Sequence, residues 1–114
     1  MSTPQSGFPY QTVYNISSVT NGYPGVVTVT EVSRQYALSL AEGQTVTIHY
    51  VSGMTEINNR RFIVTNFDSD VKTFELYDLF GNKVDTTSYI AYSSGGEVSI
   101  ISTTGYPPGL FYNQ

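Results

Sequence analysis

The chain has 114 residues, the size of one domain with a modest core, and only 12% of them are charged, about half of the usual ~25%. Five Lys and Arg against nine Asp and Glu leave a net charge of -4, which speaks against nucleic acid as a partner, because phosphate backbones are held by clustered cations. The absence of cysteine excludes disulfides, thiolate metal sites and cysteine nucleophiles. Polar surface must then come from Ser, Thr, Asn and Tyr, a composition suited to the pleated, half-buried environment of an all-β protein.

In chain order, residues 1–11, MSTPQSGFPYQ, form an N-terminal arm carrying Phe8 and Tyr10. The arm has neither a basic n-region nor an apolar h-region, and no later window approaches the ~18 apolar residues of a membrane span. A soluble chain with no membrane contact is expected. Period-two runs then dominate, and they predict six strands: Thr12 to Val19, Val26 to Val32, Thr45 to Val51, Arg61 to Phe67, Thr73 to Tyr77 and Glu97 to Ser102. No window of helical length keeps an apolar stripe, so almost no helix is expected.

Turn residues separate the runs. Asn21-Gly22 can supply φ > 0, Gly43-Gln44 follows a reversal at Ala41-Glu42, Gly81-Asn82 makes another, and Gly95-Gly96 is expected just ahead of the last strand. Short strands at this spacing suggest a barrel or a sandwich. In TVTIHYV, Val46, Ile48 and Tyr50 share one face and are expected in the core, leaving Thr45, Thr47 and His49 outside. The same alternation turns Val27, Val29, Phe62, Val64, Phe74, Leu76, Val98 and Ile100 inward, while Ile63 and Phe67 sit on the opposite parity.

Catalytic machinery is not evident. His49 has no acid at i±2 to orient it, and no G-x-S-x-G elbow exposes a serine. Asp68-Ser69-Asp70 is the closest carboxylate pair, but it falls at a reversal where Asp serves as a turn residue. Arg60 and Arg61 are adjacent on a strand and point to opposite faces, and Gly95-Gly96 does not lie between a strand and a helix as a phosphate cradle requires. The expectation is a protein that is not an enzyme, with no cofactor and no metal.

The stretch from Gly43 to Asp78, with a closing segment from Thr86 to Ile100, resembles a known module. Its marks are Gly43, Val46 and Ile48; then Gly53-Met54-Thr55-Glu56-Ile57-Asn58-Asn59-Arg60; Phe62 and Val64; Thr73-Phe74-Glu75-Leu76; and Tyr89, Tyr92 and Ser94-Gly95-Gly96-Glu97-Val98. This pattern is similar to the first-catalytic-cysteine-half (FCCH) domain of ubiquitin-activating enzymes, in the form that recurs in bacteriophage virion and tail proteins. Three departures stand out: Gln44 replaces the usual acid, Ile57 the usual Leu and Asn59 the usual Gly.

The resemblance implies a small six-stranded antiparallel barrel over residues 12–102. Gly53 would permit a sharp exit from a strand, Met54 and Ile57 would plug the barrel end, and Asn58-Asn59 would turn the chain onward, with Asn59 tolerating left-handed backbone nearly as well as Gly. Despite the domain's name, no ubiquitin-activating chemistry follows for a chain without cysteine.

Residues 103–114 form a C-terminal arm in which Tyr106, Leu110, Phe111 and Tyr112 supply apolar mass, while Pro107-Pro108 and two Gly oppose continuing a strand or helix. The arms are expected to dock on copies of the same chain or on other virion proteins, the alternative for the C-terminal arm being to fold back over the open end of its own barrel. The resulting expectation is a structural component of a bacteriophage virion, in the tail, the neck or as capsid decoration. The alternative is a module that recognises a host-surface glycan or protein through exposed aromatic residues.

Overall fold

A computed structural model describes residues 13–34 and 39–102. Six strands, β1 (Val13–Val19), β2 (Val26–Arg34), β3 (Thr45–Ser52), β4 (Arg60–Asp68), β5 (Thr73–Tyr77) and β6 (Ser94–Ser102), close into an antiparallel barrel in the order β1-β2-β5-β4-β3-β6. The one helical element among the described residues is a 3-10 turn, Thr55–Ile57. The arm residues Phe8, Tyr10, Tyr106, Pro107, Pro108, Leu110, Phe111 and Tyr112 lie outside the described residues.

The strands are made of β-branched and aromatic residues at alternate positions, and alternation puts one set inside. Val27, Val29, Val46, Ile48, Phe62, Val64, Phe74, Leu76, Val98 and Ile100 are all essentially inaccessible. Each such side chain contributes roughly 1.5–3 kcal/mol by leaving water. Ile63 is only partly covered, and Phe67, also partly covered, packs against the core.

Strand polarity divides the loops between two ends. The β1–β2 loop, the β3–β4 corner and the long segment from β5 to β6 lie at one end, which we call the corner end. The start of β1 and the finish of β6 lie at the opposite, terminal end, where Val13 pairs with Ser99 and Thr45 with Ser102. Leu40 belongs to the core there, its N–H donating to the buried Tyr14 hydroxyl at 3.0 Å. Gln44, the departure from the family's acid, is buried. Its side-chain oxygen accepts from Ala41 N–H at 2.8 Å and its amide donates to Ser39 O at 2.7 Å. A carboxylate could accept the first bond but could not donate the second.

Four expectations need correction. Tyr50 is not in the core: it adopts φ 66° and is 74% exposed, and the left-handed residue shifts the parity of β3 so that Val51 turns inward instead. Thr45, expected outside, is fully buried beside Val46, at a register shift where β3 meets β6. Its hydroxyl has no hydrogen-bond partner. Gly95-Gly96 does not precede the last strand but lies within it, with φ 75° and 104°. Asn21-Gly22 supplies no positive φ; the β1–β2 loop instead passes through a cis Tyr23-Pro24 bond.

Candidate functional site

The corner between β3 and β4 is built by close backbone approach. Gly53 has φ 88°, and a Cβ there would collide with the Ala91 carbonyl oxygen and stand 2.7 Å from the Ser93 nitrogen. That room lets the segment entering β6 lie directly on the corner, where Ser93 N–H donates to Ser52 O at 3.0 Å. The chain then winds through one 3-10 turn that carries Met54 and Ile57 into the core, both without exposure. Thr55 begins that turn, its N–H donating to Gly53 O at 2.8 Å.

Asn58 ends the turn by imitating a strand. Its amide oxygen accepts from Val51 N–H and its amide nitrogen donates to Val51 O, both at 2.9 Å. This side chain pairs the backbone that the left-handed Tyr50 takes out of the regular ladder. Asn59 follows with φ 63°, the conformation for which glycine is the usual choice, and its side-chain oxygen lies 2.9 Å from His49 Nδ1. His49 is therefore partly covered and engaged in the corner.

The remaining charged groups of the motif face inward on the same structure. Arg60 donates to Glu56 O and to the Tyr89 hydroxyl, each at 3.1 Å, with its guanidinium 5.1 Å from the centre of the Phe62 ring. Arg61 is exposed. Glu56 accepts from Ile90 N–H at 3.1 Å through Oε2, while Oε1 is buried without a hydrogen bond. Together these contacts tie the corner to the segment ahead of β6.

That segment is tied to the β1–β2 loop as well. Thr86, fully buried, accepts from Gly22 N–H at 2.9 Å and donates to Thr20 O at 2.7 Å, and Asn21 donates to the carbonyls of Thr86 and Tyr89. The Tyr92 hydroxyl donates toward Gly95 O at 2.7 Å and also lies 3.2 Å from Ile16 O, and burial raises its pKa above the ordinary tyrosine value. At Gly96 a Cβ would lie 2.8 Å from Val51 and 3.0 Å from Ile16, so β6 packs directly against these two β-branched side chains.

The carboxylates serve turns. Asp68 Oδ1 accepts from Asp70 N–H at 2.9 Å, and Asp78 Oδ1 accepts from Phe80 and Asn82 N–H groups, each at 2.9 Å. The Asn82 N–H foremost, with that of Phe80, holds the Asp78 carboxyl below its ordinary pKa. Asp85 is likewise lowered, first by the Thr87 hydroxyl and then by the Thr87 N–H. Among the described residues no group of three or more His, Cys, Asp or Glu side chains is placed to hold a metal ion, and no pocket is present.

Several large apolar side chains face solvent at the corner end, among exposed polar residues such as Asn59, Asn82, Lys83 and Thr87. Tyr23, Tyr50, Phe80 and Ile90 are between 63% and 85% exposed, and Lys83 Nζ lies 5.5 Å from the Tyr23 ring centre. Sequence reasoning missed Thr86, Leu40 and the outward turn of Tyr50. The first two are ordinary residues in irregular segments, whose only signal is the contact made across the chain.

A closed barrel with a plugged corner and a strapped end defines a small β-barrel module in which the recurrent residues maintain the architecture. The family model described as the ubiquitin-activating enzyme E1 FCCH domain matches residues 22–101, and the chain belongs to that family. No curated protein matches the sequence. The family match starts after β1, yet β1 pairs with β2 and β6 and so completes the ring.

Proposed function

We propose that this chain is a structural component of a bacteriophage virion, situated in the tail or neck or on the capsid, where it has no catalytic role. It assembles with copies of itself and with other virion proteins through its barrel faces and terminal arms. The observation that carries this reading is that the motif is used up internally. Gly53, Asn58, Arg60 and Glu56 each have a partner or close neighbour within the barrel, which makes the module a rigid body. Interaction is left to the exposed apolar residues and to the arms. Native mass spectrometry of the purified protein, with peptide mass spectrometry of purified phage particles, tests it. An oligomer that is also found in particles is the expected result; absence from particles overturns the virion assignment.

The alternative, a host-surface glycan, draws on one observation: the Tyr50 ring is exposed, with the His49 ring centre 5.6 Å away. A glycan array bound by the protein and lost on Tyr50→Gly would favour this reading over assembly.

A further inference from the structure

We propose that Asn21-Gly22 is a self-modification site, held unreactive by the Thr86 strap and converted irreversibly to aspartate or isoaspartate when that strap opens.

The pair is the one place in the chain where glycine follows asparagine. In such a pair the glycine nitrogen can attack the asparagine side-chain Cγ, because no Cβ shields the nitrogen and the glycine backbone turns freely. The N–Cγ bond forms as the backbone nitrogen gives up its proton, the Cγ–Nδ2 bond breaks, and ammonia leaves with that proton. A five-membered succinimide remains. Water then adds to one of its two carbonyl carbons and opens the ring, giving either aspartate or isoaspartate, in which the main chain runs through the former side chain. Water is the only other reactant, and Asn21 is exposed to it.

In the folded barrel both reacting groups are held. The Gly22 N–H donates to Thr86 Oγ1 at 2.9 Å, and that hydroxyl directs its own proton to Thr20 O at 2.7 Å. A neutral hydroxyl so engaged binds the N–H proton without removing it. Asn21 Nδ2 donates to Thr86 O at 2.8 Å and to Tyr89 O at 3.0 Å, and two bonds from one nitrogen fix the amide plane against the turn that ring closure requires. Thr86 N–H also donates to Gly22 O at 2.8 Å, so the peptide groups on both sides of Gly22 are tied to one buried residue.

Conversion outlasts the opening that allowed it. A carboxylate at position 21 has no N–H to donate and would face the Thr86 and Tyr89 carbonyl oxygens, while isoaspartate lengthens the loop entering β2 by one main-chain atom. Either product prevents the strap from closing as before. The site therefore records the time that the β1–β2 loop has spent detached from the segment ahead of β6.

The full chain is incubated in mildly alkaline buffer and conversion at Asn21 is followed by peptide mass spectrometry, the same chain in urea giving the unprotected rate. Conversion in the folded protein should be slower by at least about tenfold, as a local opening equilibrium dictates. Equal rates overturn the proposal. Thr86→Val fills the same space under Gly25 but removes the acceptor of the Gly22 N–H, and should speed conversion in the folded protein by about tenfold while leaving the urea rate unchanged. Thr86→Ser keeps the hydroxyl and should stay near the original rate. A folded Thr86→Val chain that converts as slowly as the original overturns the role of Thr86. The unaltered chain supplies a second measurement: across urea concentrations below unfolding, amide hydrogen exchange at Gly22 and conversion at Asn21 should rise together, because both wait on the same opening. Exchange that rises while conversion stays fixed overturns the link. Asn21→Asp, the product itself, should lower the denaturation midpoint; an unchanged midpoint shows that the strap closes over the product and removes the irreversibility.

Discussion

The two ends of the barrel are closed by different means. At the corner end, backbones touch: Gly53 lies against Ala91 and Ser93, and Thr86 ties the β1–β2 loop to the segment ahead of β6. At the terminal end, the loop ahead of β3 is held by side-chain bonds, with Tyr14 holding Leu40 and Gln44 bridging Ser39 and Ala41, as well as by backbone bonds from Gly43 N–H to Val64 O and from Val64 N–H to Gln44 O. A closure made of backbone contacts has no slack for an added atom. Side-chain bonds can be lost one at a time, so the corner end should be brittle at Gly53, where backbone meets backbone.

The largest effect expected from this contrast is at Gly53. Gly53→Ala combines left-handed strain with a collision against backbone that cannot move aside, and should cost about 3–5 kcal/mol in guanidinium denaturation. A loss under about 1 kcal/mol would mean that the corner yields, and the contrast between the ends would vanish. Asn58→Ala comes next. It leaves the Val51 N–H and C=O without partners and should cost about 2–3 kcal/mol by the same measurement.

At the terminal end, Tyr14→Phe removes the acceptor of one buried N–H and should cost about 1–2 kcal/mol. Thr45→Val should act in the opposite direction, raising stability by about 1 kcal/mol, because it replaces a buried hydroxyl that has no partner with a methyl group of the same shape. A destabilised Thr45→Val protein would reveal a hydroxyl contact and bring the two ends closer in character.

The smallest expected effect is electrostatic. The folded pKa of Asp78 is lowered below its unfolded value, so its contribution is complete above the unfolded pKa and is lost as pH falls through the folded one. Denaturation midpoints between pH 5 and pH 2 should therefore decline on the acid side of ~4, and Asp78→Asn should flatten that decline. An unchanged acid limb in the variant would assign the decline to Asp85 or to other carboxylates.

Most of the barrel was legible because alternation is a local property. Val46 and Ile48, Phe62 and Val64, and Phe74 and Leu76 each declare their inner face two residues apart, and Thr73–Tyr77 has the bounds that the pattern predicts. Alternation failed where the backbone leaves the β region. At Tyr50 a single positive φ moved the next inward residue to Val51, and nothing in TVTIHYV signals this, because Tyr is among the last residues expected in that conformation.

The corner's plug was legible through the family pattern, but the partners were not. That Asn58 would bond Val51, or Arg60 the Tyr89 hydroxyl, depends on contacts across 7 and 29 positions of the chain. The exposure of apolar residues at the corner end was illegible for the same reason. Exposure of Tyr23 and Phe80 at one end is set by the strand order, which the spacing of strands did not settle between barrel and sandwich.

The position of β6 between β1 and β3 bears on how the protein is made. Before β6 is available, the first five strands can form only an open sheet in the order β1-β2-β5-β4-β3, with β1 and β3 as its edges. The β3 edge is TVTIHYVS, rich in β-branched residues and without proline, which is the composition that recruits another chain edge to edge. Synthesis from the N-terminus delivers the closing strand last, so the nascent chain passes through a stage at risk of aggregation. That stage ends once residues 94–102 have emerged and paired on both sides.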